Sequence, residues 1–155
     1  MKYTIEVSLK PNFSDHHGEH VHHDILVMGF LKKVPRIKFH QLYNIEGSIT
    51  EDEIKSIAEK LLTDPITEKY SIIPEGSEGK IRIKYRSIEV WLKYGVTDAV
   101  AGSVLKAVED LGIKSELKIK TGQKYIFEGA ILPRIAKQIA EKLLVNSMIQ
   151  QYFVS

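Results

Sequence analysis

The sequence predicts an α+β fold: two tandem β-α-β-α-β units in a pseudo-twofold two-layer sandwich, sharing one antiparallel-type sheet with the helices on one face. Three observations carry this. The first is a repeat: Ile57 to Tyr70, IAEKLLTDPITEKY, returns as Ile139 to Tyr152, IAEKLLVNSMIQQY, 82 residues later. The second is a match at the front of each copy, where IEVSLKPNFSD from Ile5 corresponds to IEVWLKYGVTD from Ile88. The third is that period-two and helix-period stretches alternate along each copy, so that each half reads strand, helix, strand, helix, strand.

Taken in order, Tyr3, Ile5, Val7 and Leu9 alternate with polar residues and predict a half-buried strand that Pro11 ends. Asp15 sits at a helix N-cap, Val21, Ile25 and Met28 follow at helical spacing, and Gly29 stops the helix. Ile37, Phe39, Gln41, Tyr43 and Ile45 then lie on one side of a second strand. Thr50 and Glu53 have capping-box spacing, and Ile54, Ile57, Ala58, Leu61 and Leu62 form the apolar stripe of a second helix. Asp64-Pro65 ends that helix, and Glu68 to Ile73 makes a third strand.

PEGSEG, residues 74–79, is the one linker-like stretch, which divides the chain into repeat 1 (1–73) and repeat 2 (80–155) within one compact pseudo-dimeric domain. Beyond it Ile81, Ile83 and Tyr85 alternate in one register and Ile88, Val90 and Leu92 in the other, which implies a kink near Arg86-Ser87. Repeat 2 has the same order: a strand to Lys93, a helix with Val100, Val104, Val108 and Leu111, a strand from Leu117 to Phe127, a helix from Pro133 to Leu144, and a closing strand. Three strands leave exposed edges, and pairing the copies edge to edge in one sheet of six or more strands removes them.

Composition excludes several classes. Lys and Arg number 22 against 20 Asp and Glu, a net charge of +2, so the pI of 8.6 argues for no nucleic-acid partner. The chain has no cysteine, which removes disulfides, thiolate catalysis and cysteine metal sites. No segment approaches the roughly 18 apolar residues of a membrane span, and Met1 leads straight into a strand pattern, so the expected location is the cytoplasm.

Candidate sites are few. Five histidines lie between His16 and His23; His16, His20 and His23 share one helical face, with Asp15 and Glu19 near. A solvated polar face explains the trio better than a metal centre, because no buried shell orients the imidazoles. No serine lies in a nucleophile-elbow context, and the glycines of PEGSEG lack a P-loop ending. Thr121 to Tyr125, TGQKY, reads as a turn interrupting a strand. Trp91, flanked by Glu89, Lys93 and Tyr94, falls on the open side of the sheet and is a candidate partner contact. Glu6/Glu89, Lys10/Lys93, Asp15/Asp98 and Glu59-Lys60/Glu141-Lys142 coincide between copies without acid–base spacing, and read as caps and solvated faces. Catalytic residues and cofactors are expected to be none.

IEVSLKPNFSD with its D-x-x-G helix opening (Asp15, Gly18), QLYNIEG at Gln41 to Gly47 and LLTDPITEKY at Leu61 to Tyr70 resemble the PurS family, the small subunit of phosphoribosylformylglycinamidine (FGAM) synthase. IEVWLKYGVTD, GQKYIFEG and LLVNSMIQQY carry the same resemblance in copy two, which has Ala101 in the place of the D-x-x-G glycine and Gly102 one place later. The resemblance implies a β-α-β-α-β unit that dimerises, and a non-catalytic subunit that bridges an ATP-dependent PurL-type synthetase and a PurQ-type glutaminase in purine biosynthesis. The rival from another class is a small-molecule-sensing regulatory domain, since tandem α/β units of this size also bind ligands. Edge counting adds a homodimer, formed sheet against sheet with Trp91 near the contact.

Overall fold

The computed structural model describes residues 1–77 and 84–155. Linker residues 78 and 79 and the expected Ile81 and Ile83 limb lie outside the described residues. Strand β1 (Lys2–Leu9) buries Tyr3, Ile5 and Val7 by strict alternation. Helix α1 (His16–Met28) starts where Asp15 accepts a bond from the Gly18 N–H, and stops at Gly29, whose φ of 77° is a left-handed cap. Strand β2 (Arg36–Gly47) leads to α2 (Glu51–Ile57), where both halves of the Thr50/Glu53 capping box are present. The last turn, Ala58–Leu62, is π-helical, and Thr63 then returns to extended geometry ahead of β3 (Glu68–Pro74).

Copy two follows the same plan: β4 (Ser87–Leu92), α3 (Ala99–Asp110), β5 (Leu117–Glu128), α4 (Pro133–Ile139) and β6 (Gln150–Val154). Its AEKLL segment, Ala140–Leu144, is also π-helical, so the repeated sequence repeats the irregular turn as well as the helix. Pro133 occupies the first turn, where its missing N–H is no loss.

The strands form one six-stranded sheet in the order β3-β1-β2-β5-β4-β6. Antiparallel pairing sets Tyr3 against Ile45 and Ile5 against Tyr43, so these side chains share a face. Three expectations are corrected. The one-sided reading of β2 is incomplete, since Leu42, in the opposite alternation to Ile45, is 1% exposed. Thr121 to Tyr125 makes no turn: β5 runs through it unbroken, because the Asp98 carboxylate supplies the Thr121 N–H with a partner. Pairing the copies leaves β3 and β6 at the two ends of the order, so two edges remain among the described residues.

Compactness does not follow the repeat. One unit gathers β1, the part of β2 from Gln41, α2, β3, α3 and β5 up to Gly122; the other gathers α1, β2 up to His40, β4, β5 from Gln123, α4 and β6. The core of the first is Tyr3, Ile5, Val7, Ile45, Ile54 and Ile57 from copy one, with Val108, Ile113 and Leu117 from copy two. The second core sets Val21, Ile25 and Ile37 of copy one among Ile88, Val90, Phe127, Ala136 and Ile139 of copy two. The first helix of each copy thus serves the other copy's strands. Burial of Val21 and Ile25 is worth roughly 1.5–3 kcal/mol each, a large share of a small domain's stability.

The helix stripes bury Val21, Ile25 and Val108 as expected, but their end members differ. Met28 is 50% and Val100 54% exposed, and Leu111 is exposed as well, while Gly18 and Ala101 are buried one turn in. At both helix openings it is this small residue, three beyond the N-cap aspartate, that is buried, and Gly18 meets β2 at the Ile37 carbonyl.

Candidate functional site

The residues that coincide between the copies are committed to architecture. Asp15 accepts from the Gly18 N–H and, through its other oxygen, from the Phe39 N–H, both at 2.8 Å, tying α1 to the following strand. Asp98 does the same for Ala101 (2.9 Å) and Thr121 (2.8 Å), with the Thr121 hydroxyl as a further donor. The Lys10 ammonium donates to the Pro65 carbonyl at 2.7 Å and Lys93 to that of Ser147 at 2.6 Å. Tyr70 donates to Glu59 and Tyr152 to Glu141, each at 2.7 Å, across the π-helical turn; these bonds, with the carboxylates' charge, raise both phenol pKa values. The carbonyl of the Asp64 side chain receives the Ile66 N–H, and that of Asn146 the Met148 N–H, so the same turn is closed by an acid in one copy and an amide in the other.

The predicted histidine trio does not converge. His16 approaches Glu19 at 3.6 Å, His20 approaches Asp24 at 3.3 Å, and His23 stays exposed. Among the described residues no three His, Asp or Glu side chains are grouped to hold a metal ion.

His17, which the spacing argument passed over, makes the more organised contact. Its ring stacks on Phe39 with centroids 3.8 Å apart and planes 4° from parallel, and Nε2 lies 3.3 Å from the Tyr125 hydroxyl. Tyr125 donates to Gln123 Oε1 at 3.2 Å, which leaves the imidazole N–H to donate to the phenol oxygen. Burial pushes the Tyr125 pKa up to about 12 and pushes that of His17 down, the latter opposed by Asp15 and aided by His20. The signal was available in the comparison of copies: where copy one has His17 and Phe39, copy two has Val100 and Thr121 at the same points of the cap.

Trp91 is half-buried, opposite Gln151, and donates from Nε1 to Glu89 at 3.2 Å. Lys93 is engaged in its carbonyl clamp, and Tyr94 beside it is 99% exposed. In the first compact unit an open cavity of about 820 Å³ is lined by Glu46, Gly47, Glu109, Ile113, Lys114 and Leu117 among others. Gly47 is required at its wall: its φ is 148°, and a Cβ there would collide with the Glu116 carbonyl.

The family model for PurS, described as phosphoribosylformylglycinamidine (FGAM) synthase, matches the chain twice, over residues 2–75 and 86–155. The chain belongs to the PurS family. It is a tandem PurS duplication with a role in FGAM synthase and hence in purine biosynthesis. No curated protein matches the chain. The two matches cover the elements whose clamps recur, so what one PurS copy shares with the other here is cap, clamp and core. No helix among the described residues is long and apolar enough to cross a membrane.

Proposed function

We propose that the chain is a non-catalytic assembly subunit of FGAM synthase that bridges the ATP-dependent PurL-type synthetase and the PurQ-type glutaminase, so that ammonia from glutamine passes between them in the cytoplasm. The observation that supports this reading is that Asp15/Asp98, Lys10/Lys93 and the Glu59–Tyr70/Glu141–Tyr152 pairs, shared by the two PurS copies, are spent on capping and clamping, as a scaffold requires. The subunit acts as a homodimer, and Trp91, Lys93 and Tyr94 lie at a partner contact. Co-purification with the synthetase and glutaminase, with and without glutamine and nucleotide, tests the role: a ternary complex is expected. ATP hydrolysis or ammonia release by the isolated chain would overturn it.

The open cavity lined by Glu46, Glu109 and Lys114 favours one alternative, a small-molecule-sensing regulatory domain. A ligand at 100 times its dissociation constant would add about 2.7 kcal/mol to stability, so a thermal shift with amino acids or nucleotides in the absence of synthase subunits would support that reading. A metal role for His16, His20 and His23 ranks third, and the triple alanine variant should assemble normally.

A further inference from the structure

The connection after the first helix differs between the copies. In copy one it runs from Gly29 to Ile37, and in copy two from Gly112 to Ile119, one residue shorter. Copy one fills this corner: Phe30 and Leu31 pack against a core that buries Val34, the His22 ring nitrogen lies 3.1 Å from the Val34 carbonyl oxygen, and Pro35 sits on Gly129. Copy two has Ile113, Lys114 and Glu116 in the places of Phe30, Leu31 and Val34, and there the corner is open, as the cavity of about 820 Å³ that Gly47 lines.

The lining of that cavity carries both signs of charge and leaves them unpaired. Glu46, Glu109, Glu116, Lys114 and Lys118 line it, and among the described residues none of these side chains is in an ion pair. The counterpart of Glu46 in copy two, Glu128, has Arg36 and Lys38 at 3.9 and 3.8 Å. Glu109 is placed against the polarity of its helix: it lies in the last turn of α3, at the negative end of the macrodipole, and that turn holds no basic residue. A cation arriving there would be stabilised by the carboxylate and the helix end together. Ile113 and Leu117, both buried, give the same cavity an apolar wall.

We propose that this cavity binds a free α-amino acid with an apolar side chain. The occupant, which gives the small-molecule-sensing reading above its ligand class and rests on that reading, is selected by the lining. Glu109 and the carbonyl end of α3 receive the ammonium, Lys114 and Lys118 the carboxylate, and Ile113 and Leu117 the side chain. A nucleotide would bring its phosphates against three carboxylates and a helix end of the same sign. A simple amine would leave both lysines without a partner, and an uncharged apolar ligand would take water from the charged groups without replacing it.

The test is titration of the full chain alone with L-leucine, followed by calorimetry. Saturable binding is expected, and isopentylamine, which lacks the carboxylate, and 2-hydroxy-4-methylpentanoate, which lacks the ammonium, should each bind about tenfold or more weakly. Glu109→Gln should weaken L-leucine by a similar factor and leave the hydroxy acid unchanged, whereas a merely structural effect would weaken both alike. Lys114→Leu/Glu116→Val, which restores the residues of copy one, should abolish binding; Glu109→Gln, a change at an exposed helix end, serves if that variant fails to fold. No saturable binding of L-leucine, equal binding of the amine or the hydroxy acid, or indifference to Glu109→Gln would overturn the proposal. A thermal shift with a nucleotide and none with L-leucine would also overturn it while the sensing reading stands, and no shift with any small molecule would remove both. Co-purification with the synthase subunits is a separate readout, and the bridging role does not depend on this one.

Discussion

The helix openings contrast two glycines that stand one place apart between the copies. Gly18 lies under β2, where a Cβ would strike the Ile37 carbonyl oxygen, whereas a Cβ on Gly102 meets nothing within 4 Å. Gly18→Ala should therefore destabilise the protein, while Gly102→Ala should raise stability by about 0.5–1 kcal/mol through the backbone entropy of the unfolded chain; urea denaturation of both variants checks the opposite signs. Asp15→Ala removes a cap and strands the Phe39 N–H, and should cost about 1–3 kcal/mol by the same assay. His17 gives a pH dependence. Its folded pKa is depressed below the ordinary 6.5, chiefly by burial, so the unfolded chain binds more protons as pH falls below that value. Its contribution is complete above about pH 6.5 and is lost as pH falls through the window between the unfolded and folded pKa values. Stability should drop as pH falls below about 6.5, and His17→Gln should flatten that slope. An unchanged slope in the variant would remove His17 as the cause.

At the scale of elements, the sequence was most legible where a local interaction closes the element. Asp15, Asp98 and the Thr50/Glu53 box announced their helices because a cap needs only a side chain and the next turn. The six strands followed from period-two alternation and from the repeat, which let one copy be read against the other. β5 was misread at Thr121 to Tyr125, since Gly122 resembles a turn when the Asp98 carboxylate that holds the strand is 23 residues away. The stacked His17 and Phe39 escaped the spacing argument for a similar reason: the strand that brings them together is specified by a cap bond, not by spacing along the helix. The copies also differ in how their second helices begin. Thr50 caps α2 with its hydroxyl, but α4 begins at Leu132, exposed and with no side-chain bond to the first turn. Thr50→Ala should cost about 0.5–2 kcal/mol, and Leu132→Ser should gain about 0.5–1 kcal/mol. Thermal melts of the two single variants would show it; a loss in Leu132→Ser would mean that Leu132 contributes packing that its exposure conceals.

For the whole molecule, the repeat boundary and the cores disagree, and the disagreement explains why the copies are joined. Periodicity reports that α1 has an apolar stripe; it does not report which strands the stripe will meet. Val21 and Ile25 go to a core whose strands and second helix come mainly from copy two, and Val108 of α3 goes to the core of copy one. A single copy cut free would expose the strand face that the other copy's first helix covers, while its own first helix would lack the β4 and α4 side chains it packs against. A fragment of residues 1–75 should therefore not fold as a stable monomer. It should unfold at low concentration and recover structure by self-association, in which each chain lends its first helix to the next, so that its melting temperature rises with protein concentration. Mixing it with residues 84–155 should yield a one-to-one complex with the circular dichroism of the intact chain. The intact protein already holds both partners at high effective concentration, and its intrachain exchange should make the fold itself independent of dilution. A fragment that is monomeric, cooperative in its transition and indifferent to concentration would show that each copy closes its own core, and would overturn the exchange as the reason for the fusion.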